Sequence, residues 1–122
     1  MLGYVTFGTN DLPRAAAFYD KLLGALGARR VFETDRGIAW GTSMNSPSLG
    51  VTKPFDGQTA TRGNGTMVAL LADSKDRVAA VYDLAIELGA SDEGKPGPRG
   101  ENFYAAYFRD LDGNKLSCFF AG

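Results

Sequence analysis

Leu22-Leu23-Gly24-Ala25-Leu26-Gly27-Ala28 returns as Leu84-Ala85-Ile86-Glu87-Leu88-Gly89-Ala90, 62 residues further along a chain of 122. Each stretch carries apolar residues into a glycine and then an alanine, the pattern of a helix that stops on a left-handed residue. Working back from the first stop, Leu12, Ala15, Ala16, Tyr19, Leu22, Leu23 and Leu26 keep the three-and-four spacing of an amphipathic helix. Asn10 and Asp11 are suited to cap it, and Pro13 fits its first turn. Working back from the second stop, Val78, Val81, Tyr82, Ala85 and Leu88 form the matching stripe behind a Ser74 cap.

The strands around these helices repeat as well. Tyr4-Val5-Thr6-Phe7 precedes the first helix as a β-branched and aromatic strand, and three more are predicted at residues 30–34, 37–42 and 48–52. The second half opens with a strand at 66–72 and closes with two at 103–109 and 115–120. Asp110-Leu111-Asp112-Gly113-Asn114 joins those two as a hairpin turn. Residues 91–100, holding Gly94, Pro96, Gly97, Pro98 and Gly100, are expected to form an exposed loop. The fold class is therefore α+β: one domain over 1–122, with a first βαβββ module at 1–54, a linker at 55–65 rich in glycine, and a second module at 66–122.

Composition limits what such a chain does. Hydrophobic residues make up 44% and charged residues 22%, with a formal charge of −1, which gives no electrostatic reason to expect nucleic acid or an anionic membrane as partner. No apolar run reaches the length of a membrane span. Met1-Leu2-Gly3-Tyr4 lacks the charged start and apolar core of a signal peptide, so the expected location is cytoplasmic. There is no histidine, and Cys118 is the one cysteine. It lies in an apolar strand with no imidazole to activate it, which makes a buried structural thiol the expectation. Asp110, Asp112 and Asn114 copy the first three positions of a calcium loop, yet Lys115 and Ala121 stand where that loop needs glycine and a bidentate acid. They are read as a turn.

The doubled βαβββ order resembles the vicinal oxygen chelate superfamily, which holds glyoxalase I, extradiol dioxygenases, and the fosfomycin and bleomycin resistance proteins. So do the opening Tyr4-Val5-Thr6-Phe7-Gly8-Thr9-Asn10-Asp11-Leu12, the helical Ala17-Phe18-Tyr19, and the closing Tyr107-Phe108-Arg109-Asp110-Leu111-Asp112-Gly113-Asn114-Lys115-Leu116. The resemblance implies a cup formed by the two modules and a homodimer. In the enzymes it also implies a divalent metal, held near the start of each module's first strand and in the last strand. The matching positions here are Tyr4, Met67 and Ser117. A phenol, a thioether and a hydroxyl carry no charge to offset the dehydration of a divalent ion. No metal and no cofactor are therefore expected.

What is left is a concave surface of apolar and hydroxyl groups, the usual form of a small-molecule site. Its predicted ligand-binding residues are Tyr4, Thr6, Trp40, Met67, Ser117 and Phe119. Strand alternation puts Tyr104 and Tyr107 on opposite faces without saying which face is inward. Three functions remain open from sequence: metal-free binding of a small organic molecule, a glyoxalase-related lyase or isomerase with a non-standard metal site or none that recruits Glu33, Glu93 or Glu101 as base, and a dimeric scaffold with a filled cup.

Overall fold

The computed structural model describes residues 1–122. Two units emerge, Met1–Arg62 and Gly63–Gly122. The first contains β1 (Tyr4–Gly8), α1 (Leu12–Gly24), β2 (Arg29–Glu33), β3 (Gly37–Gly41) and β4 (Ser48–Thr52). The second contains β5 (Val68–Leu71), α2 (Lys75–Glu87), β6 (Ser91–Pro98), β7 (Phe103–Arg109) and β8 (Lys115–Ala121). Each has one four-stranded sheet, ordered β1-β4-β3-β2 and β5-β8-β7-β6. In both, the first strand pairs parallel with the last and the other neighbours are antiparallel. The superfamily-like doubling of βαβββ is thus present element by element.

The two helices are built alike because their ends are alike. The Asp11 carboxylate accepts from Arg14 N at 3.1 Å, and the Ser74 hydroxyl from Arg77 N at 3.1 Å. Each cap satisfies a backbone donor that the first turn cannot pair internally. At the other end, Ala28 N donates to Leu23 O at 3.0 Å and Ala90 N donates to Ala85 O at 2.9 Å. These six-to-one bonds close the helix only if the residue before the alanine is left-handed. Gly27 and Gly89 supply that conformation, with φ of 82° and 105°.

In the first unit Phe7, Ile38, Trp40, Leu49 and Val51 are buried on the sheet face that α1 covers, with Leu12, Ala15, Ala16, Tyr19, Leu22 and Leu23 buried from the helix. Burying each large side chain of this kind contributes about 1.5–3 kcal/mol. In the second, Phe108, Leu116 and Cys118 are fully buried, as are Val78, Val81 and Ala85 of α2. Lys75 Nζ lies 5.8 Å from the Tyr104 ring and the Tyr82 hydroxyl donates to Asp92 at 2.9 Å. Those contacts put Tyr104 on the helix side, and alternation then puts Tyr107 on the open side.

Two sequence expectations are corrected here. Residues 91–98 are a strand, not a loop. β6 is the outer strand of its sheet, where prolines are tolerated, and register shifts after Asp92 and after Gly94 absorb its irregular residues. The second correction is β5, which begins at Val68 and leaves Met67 just ahead of the strand. Within the segment predicted as linker, Asn10 clasps Ala60: its Oδ1 accepts from Ala60 N at 2.7 Å and its Nδ2 donates to Ala60 O at 3.4 Å. That part of the chain therefore packs with the first unit.

Gly89→Ala should cost about 1 kcal/mol or more, since alanine resists φ of 105° and its Cβ would stand 3.0 Å from Leu111 Cδ2. Gly24→Ala, at a helical position with open space around it, should instead stabilise by roughly 0.5 kcal/mol. Urea unfolding of the two variants checks both signs.

Candidate functional site

One helix covers one face of each sheet, so the opposite face of the first sheet is left bare. β1 presents Tyr4 and Thr6 there, both exposed, while Phe7 is buried. From β4 come Ser48, Gly50 and Thr52, and from β3 come Gly37, Ala39 and Gly41. The two central strands thus offer almost no side chain on this face. Gly50 pairs with Thr6 on one side and Ala39 on the other, and a Cβ there would stand 3.2 Å from Thr6 Cγ2. Small residues give a low floor, and larger ones raise its rim: Tyr4, Phe32 and Met44 are 70%, 61% and 71% exposed. The result is a cavity of about 470 Å³, within the size range of small-molecule sites.

Arg36 is the one charged residue lining this cavity, and no carboxylate lines it. Its Nη2 donates to Pro54 O at 3.1 Å and Lys53 O at 3.4 Å, and its guanidinium carbon lies 5.9 Å from the Phe55 ring. Sequence reading passed over Arg36 because it occupies a turn. Its only signal was a cation sitting between two strands that present glycine and alanine.

Trp40, predicted to line the site, is removed from it by the structure. It is 1% exposed, lies on the helix side, and packs 5.5 Å from the Tyr19 ring. Its Nε1 donates to Asp20 Oδ1 at 2.8 Å. Asp20 also takes two hydrogen bonds from Arg30, at 2.9 and 2.8 Å, and Arg30 reaches Glu33 at 2.8 Å. Ile38 and Trp40 are the bulky residues of β3, and the helix side is where bulk is buried. The Arg30 hydrogen bonds hold the Asp20 carboxyl below the usual carboxylate range despite partial burial. Glu33 and Asp35 border a second, helix-side cavity of about 450 Å³ together with Asp20 and Arg30. In that cavity Arg30 is already shared by two carboxylates.

In the second unit, β8 places Lys115, Ser117 and Phe119 on the open face, beside Arg109, Tyr107 and Ala105 of β7. Met67 stands 43% exposed at the head of β5, while Ser117 is 2% exposed. Phe103 and Phe119 stack at 5.3 Å, and Lys115 and Arg99 each lie 5.5 Å from the Tyr107 ring. Glu93 pairs with Arg109 at 3.1 Å, and Glu101 is exposed in the β6–β7 turn. Cys118 is on the helix side and fully buried, which pushes its thiol up to about 11. Asp110 Oδ1 accepts from Asp112 N and Asn114 N at 2.9 Å each, and Oδ2 from Asn114 Nδ2 at 3.0 Å. That is a hydrogen-bonded turn with its carboxylate spent on the chain itself.

The donors on the open faces do not fit a divalent ion. Tyr4, Thr6 and Ser48 offer a phenol and two hydroxyls, and Met67 and Ser117 a thioether and another hydroxyl. No three His, Cys, Asp or Glu side chains gather anywhere in the chain in a way that could hold a metal. No helix is long and apolar enough to cross a membrane.

Two tandem βαβββ units in this strand order have counterparts among known proteins. The sequence model of the Glyoxalase/Bleomycin resistance protein/Dioxygenase superfamily matches residues 1–117, and the chain belongs to that superfamily. Among solved structures, it is 34% identical to a glyoxalase/bleomycin resistance protein from Albidiferax ferrireducens T118, covering 98% of this chain and 97% of that one with a TM-score of 0.88. A glyoxalase-related enzyme from Fulvimarina pelagi (21% identity, 98% and 87% covered, TM-score 0.77) shares the fold. So does a glyoxalase/bleomycin resistance protein/dioxygenase family enzyme from Burkholderia phytofirmans PsJN (19%, 96% and 95%, TM-score 0.77). Comparison with curated proteins finds no match.

Asp20→Ala should cost about 1–3 kcal/mol, because the buried Trp40 indole loses its acceptor. Asp20→Asn keeps an acceptor and loses only the half-exposed ion pair, a cost of under about 1 kcal/mol. A depressed carboxyl stabilises the fold above its unfolded pKa and loses that effect as pH falls through its folded value. The gap in Tm between wild type and Asp20→Asn should therefore close toward acid pH. For Cys118 the sign is opposite: the raised thiol favours the fold at neutral pH, and that contribution fades as pH climbs toward 11. A disulfide reagent at pH 8 should leave Cys118 untouched until denaturant is added.

Proposed function

We propose that this superfamily member binds a small, partly aromatic organic molecule without a metal, and that the open face of its first sheet is the principal surface for it. The observation that carries the reading is the cavity of about 470 Å³ floored by Gly50, Ala39 and Gly37 and rimmed by Tyr4, Phe32 and Met44. A flat floor of small residues admits a ring, Tyr4 and Phe32 offer stacking edges, and Thr6 and Ser48 offer hydroxyls for orientation. On the second unit Met67 and Phe119 leave some apolar surface, but Ser117, predicted as a ligand-binding residue, is 2% exposed and offers no hydroxyl there.

Catalysis of the glyoxalase type needs a base free to take a proton. Glu33 is engaged by Arg30, and Glu93 by Arg109. Glu101 has no partner on the open faces that would position it. Sequestration rather than turnover is the function these residues support, as a cytoplasmic homodimer. Exposed Leu2 and Leu71 (59% and 68% exposed) give the chain apolar surface outside this cavity that self-association would cover.

A thermal-shift screen of small aromatic compounds should raise Tm by several degrees for some members, because a ligand bound to the native state stabilises it by mass action. Ala39→Leu, which raises the floor, should abolish those shifts and leave the circular dichroism spectrum intact. A stoichiometric divalent metal in purified protein, or shifts indifferent to Ala39→Leu, would contradict the reading.

A further inference from the structure

We infer that the ligand class of the first-unit cavity is a planar aromatic anion, with its acidic group held by Arg36. This rests on the binding role proposed above and narrows it.

The charge around the cavity is one-sided. Arg36 lines it with no carboxylate beside it, while Glu33 and Asp35, its neighbours in sequence, border the helix-side cavity instead. The helix-side cavity holds Glu33 and Asp35 together with Asp20, Arg30 and Lys53, so its charges are mixed, while Arg36 is the one charge on the open side. A cationic guest would meet Arg36 with no counter-charge. A neutral one would leave it unused.

Arg36 is also preorganised. The carbonyls of Lys53 and Pro54 both accept from Nη2, and the exposed Phe55 ring has its centroid 5.9 Å from the guanidinium carbon. That tether occupies Nη2 and leaves Nε and Nη1, on opposite edges of the group, each able to give a single hydrogen bond to an anion. Holding a guanidinium in place before binding lowers the entropy lost when the ligand arrives.

Shape completes the argument. Gly50 and Ala39 are adjacent on paired strands, and Gly37 opens the strand next to Arg36. The low floor therefore runs up to the cation, flat enough for a fused or single ring whose acidic substituent reaches Arg36. Thr6 and Ser48 lie on the same face for a second polar substituent.

Isothermal titration calorimetry with three probes of one shape tests this: 2-naphthoate, neutral 2-naphthalenemethanol and cationic 2-naphthylmethylammonium. At low salt wild type should bind the anion at least tenfold more tightly than the alcohol, and the cation most weakly. Added salt should erode that preference. Arg36→Gln should bring the anion down to the affinity of the alcohol and leave the alcohol unchanged, while Arg36→Lys should keep part of the preference. Equal affinity for all three probes, or an anion affinity unmoved by Arg36→Gln, overturns the anion assignment while Ala39-sensitive binding of the alcohol still upholds the site. Failure of all three probes in wild type overturns the planar-anion class, and the aromatic screen with Ala39→Leu then judges the site separately. If Arg36→Gln does not fold, the wild-type probe order together with Arg36→Lys decides: a lysine variant whose anion preference falls below that of wild type supports the guanidinium as the anchor, and a wild type without that preference, or a lysine variant that keeps all of it, overturns it.

Discussion

One helix can cover only one face of a sheet, and each unit of this chain has one helix for four strands. That constraint organises everything else. The buried stripe of α1 takes Phe7, Ile38, Trp40, Leu49 and Val51, and the stripe of α2 takes Phe108, Leu116 and Cys118. The other face of each sheet is set by the same alternation and has no helix of its own. Where those opposite-phase residues are small, as at Gly37, Ala39 and Gly50, a cavity results. Where they are large, as at Phe103, Tyr107 and Phe119, the face is filled by rings.

Much of this was legible because helix ends obey local chemistry. A carboxylate or hydroxyl at the start and a glycine at the end are visible in the chain as letters, and Asp11, Ser74, Gly27 and Gly89 do in the structure what their chemistry predicts. The doubled unit followed from them. The strands of the first unit were readable for a similar reason, since their alternation is regular. β6 was not, because proline and glycine signal a loop unless the strand is known to be an outer one, and strand order is a property of the sheet rather than of the segment.

The site was less legible, and Trp40 shows why. Period two says that Ile38 and Trp40 share a face but not which one. The unread clue was contrast within the strand: Gly37, Ala39 and Gly41 alternate with the two bulky residues, and bulk belongs under the helix. Asp20 was a second clue, a polar residue near the buried stripe of α1 that accepts the indole proton. Tyr107 and Tyr104 were separable only by their contacts with α2. Arg36 was hidden by its place in a turn, where a charged residue has an ordinary explanation in solvation.

Superfamily membership and the absence of fitting metal donors point in different directions only if the fold is equated with the metal. The fold supplies bare sheet faces, and what those faces do depends on the groups standing on them. Here they are hydroxyls, rings and one tethered guanidinium. The most direct measurement is a two-dimensional amide NMR titration with an aromatic acid. The Gly37, Ala39 and Gly50 amides should move while the Trp40 indole Nε1–H signal stays fixed beneath α1. Movement of the Trp40 indole signal with Gly50 unmoved would place the ligand on the helix side and contradict the account.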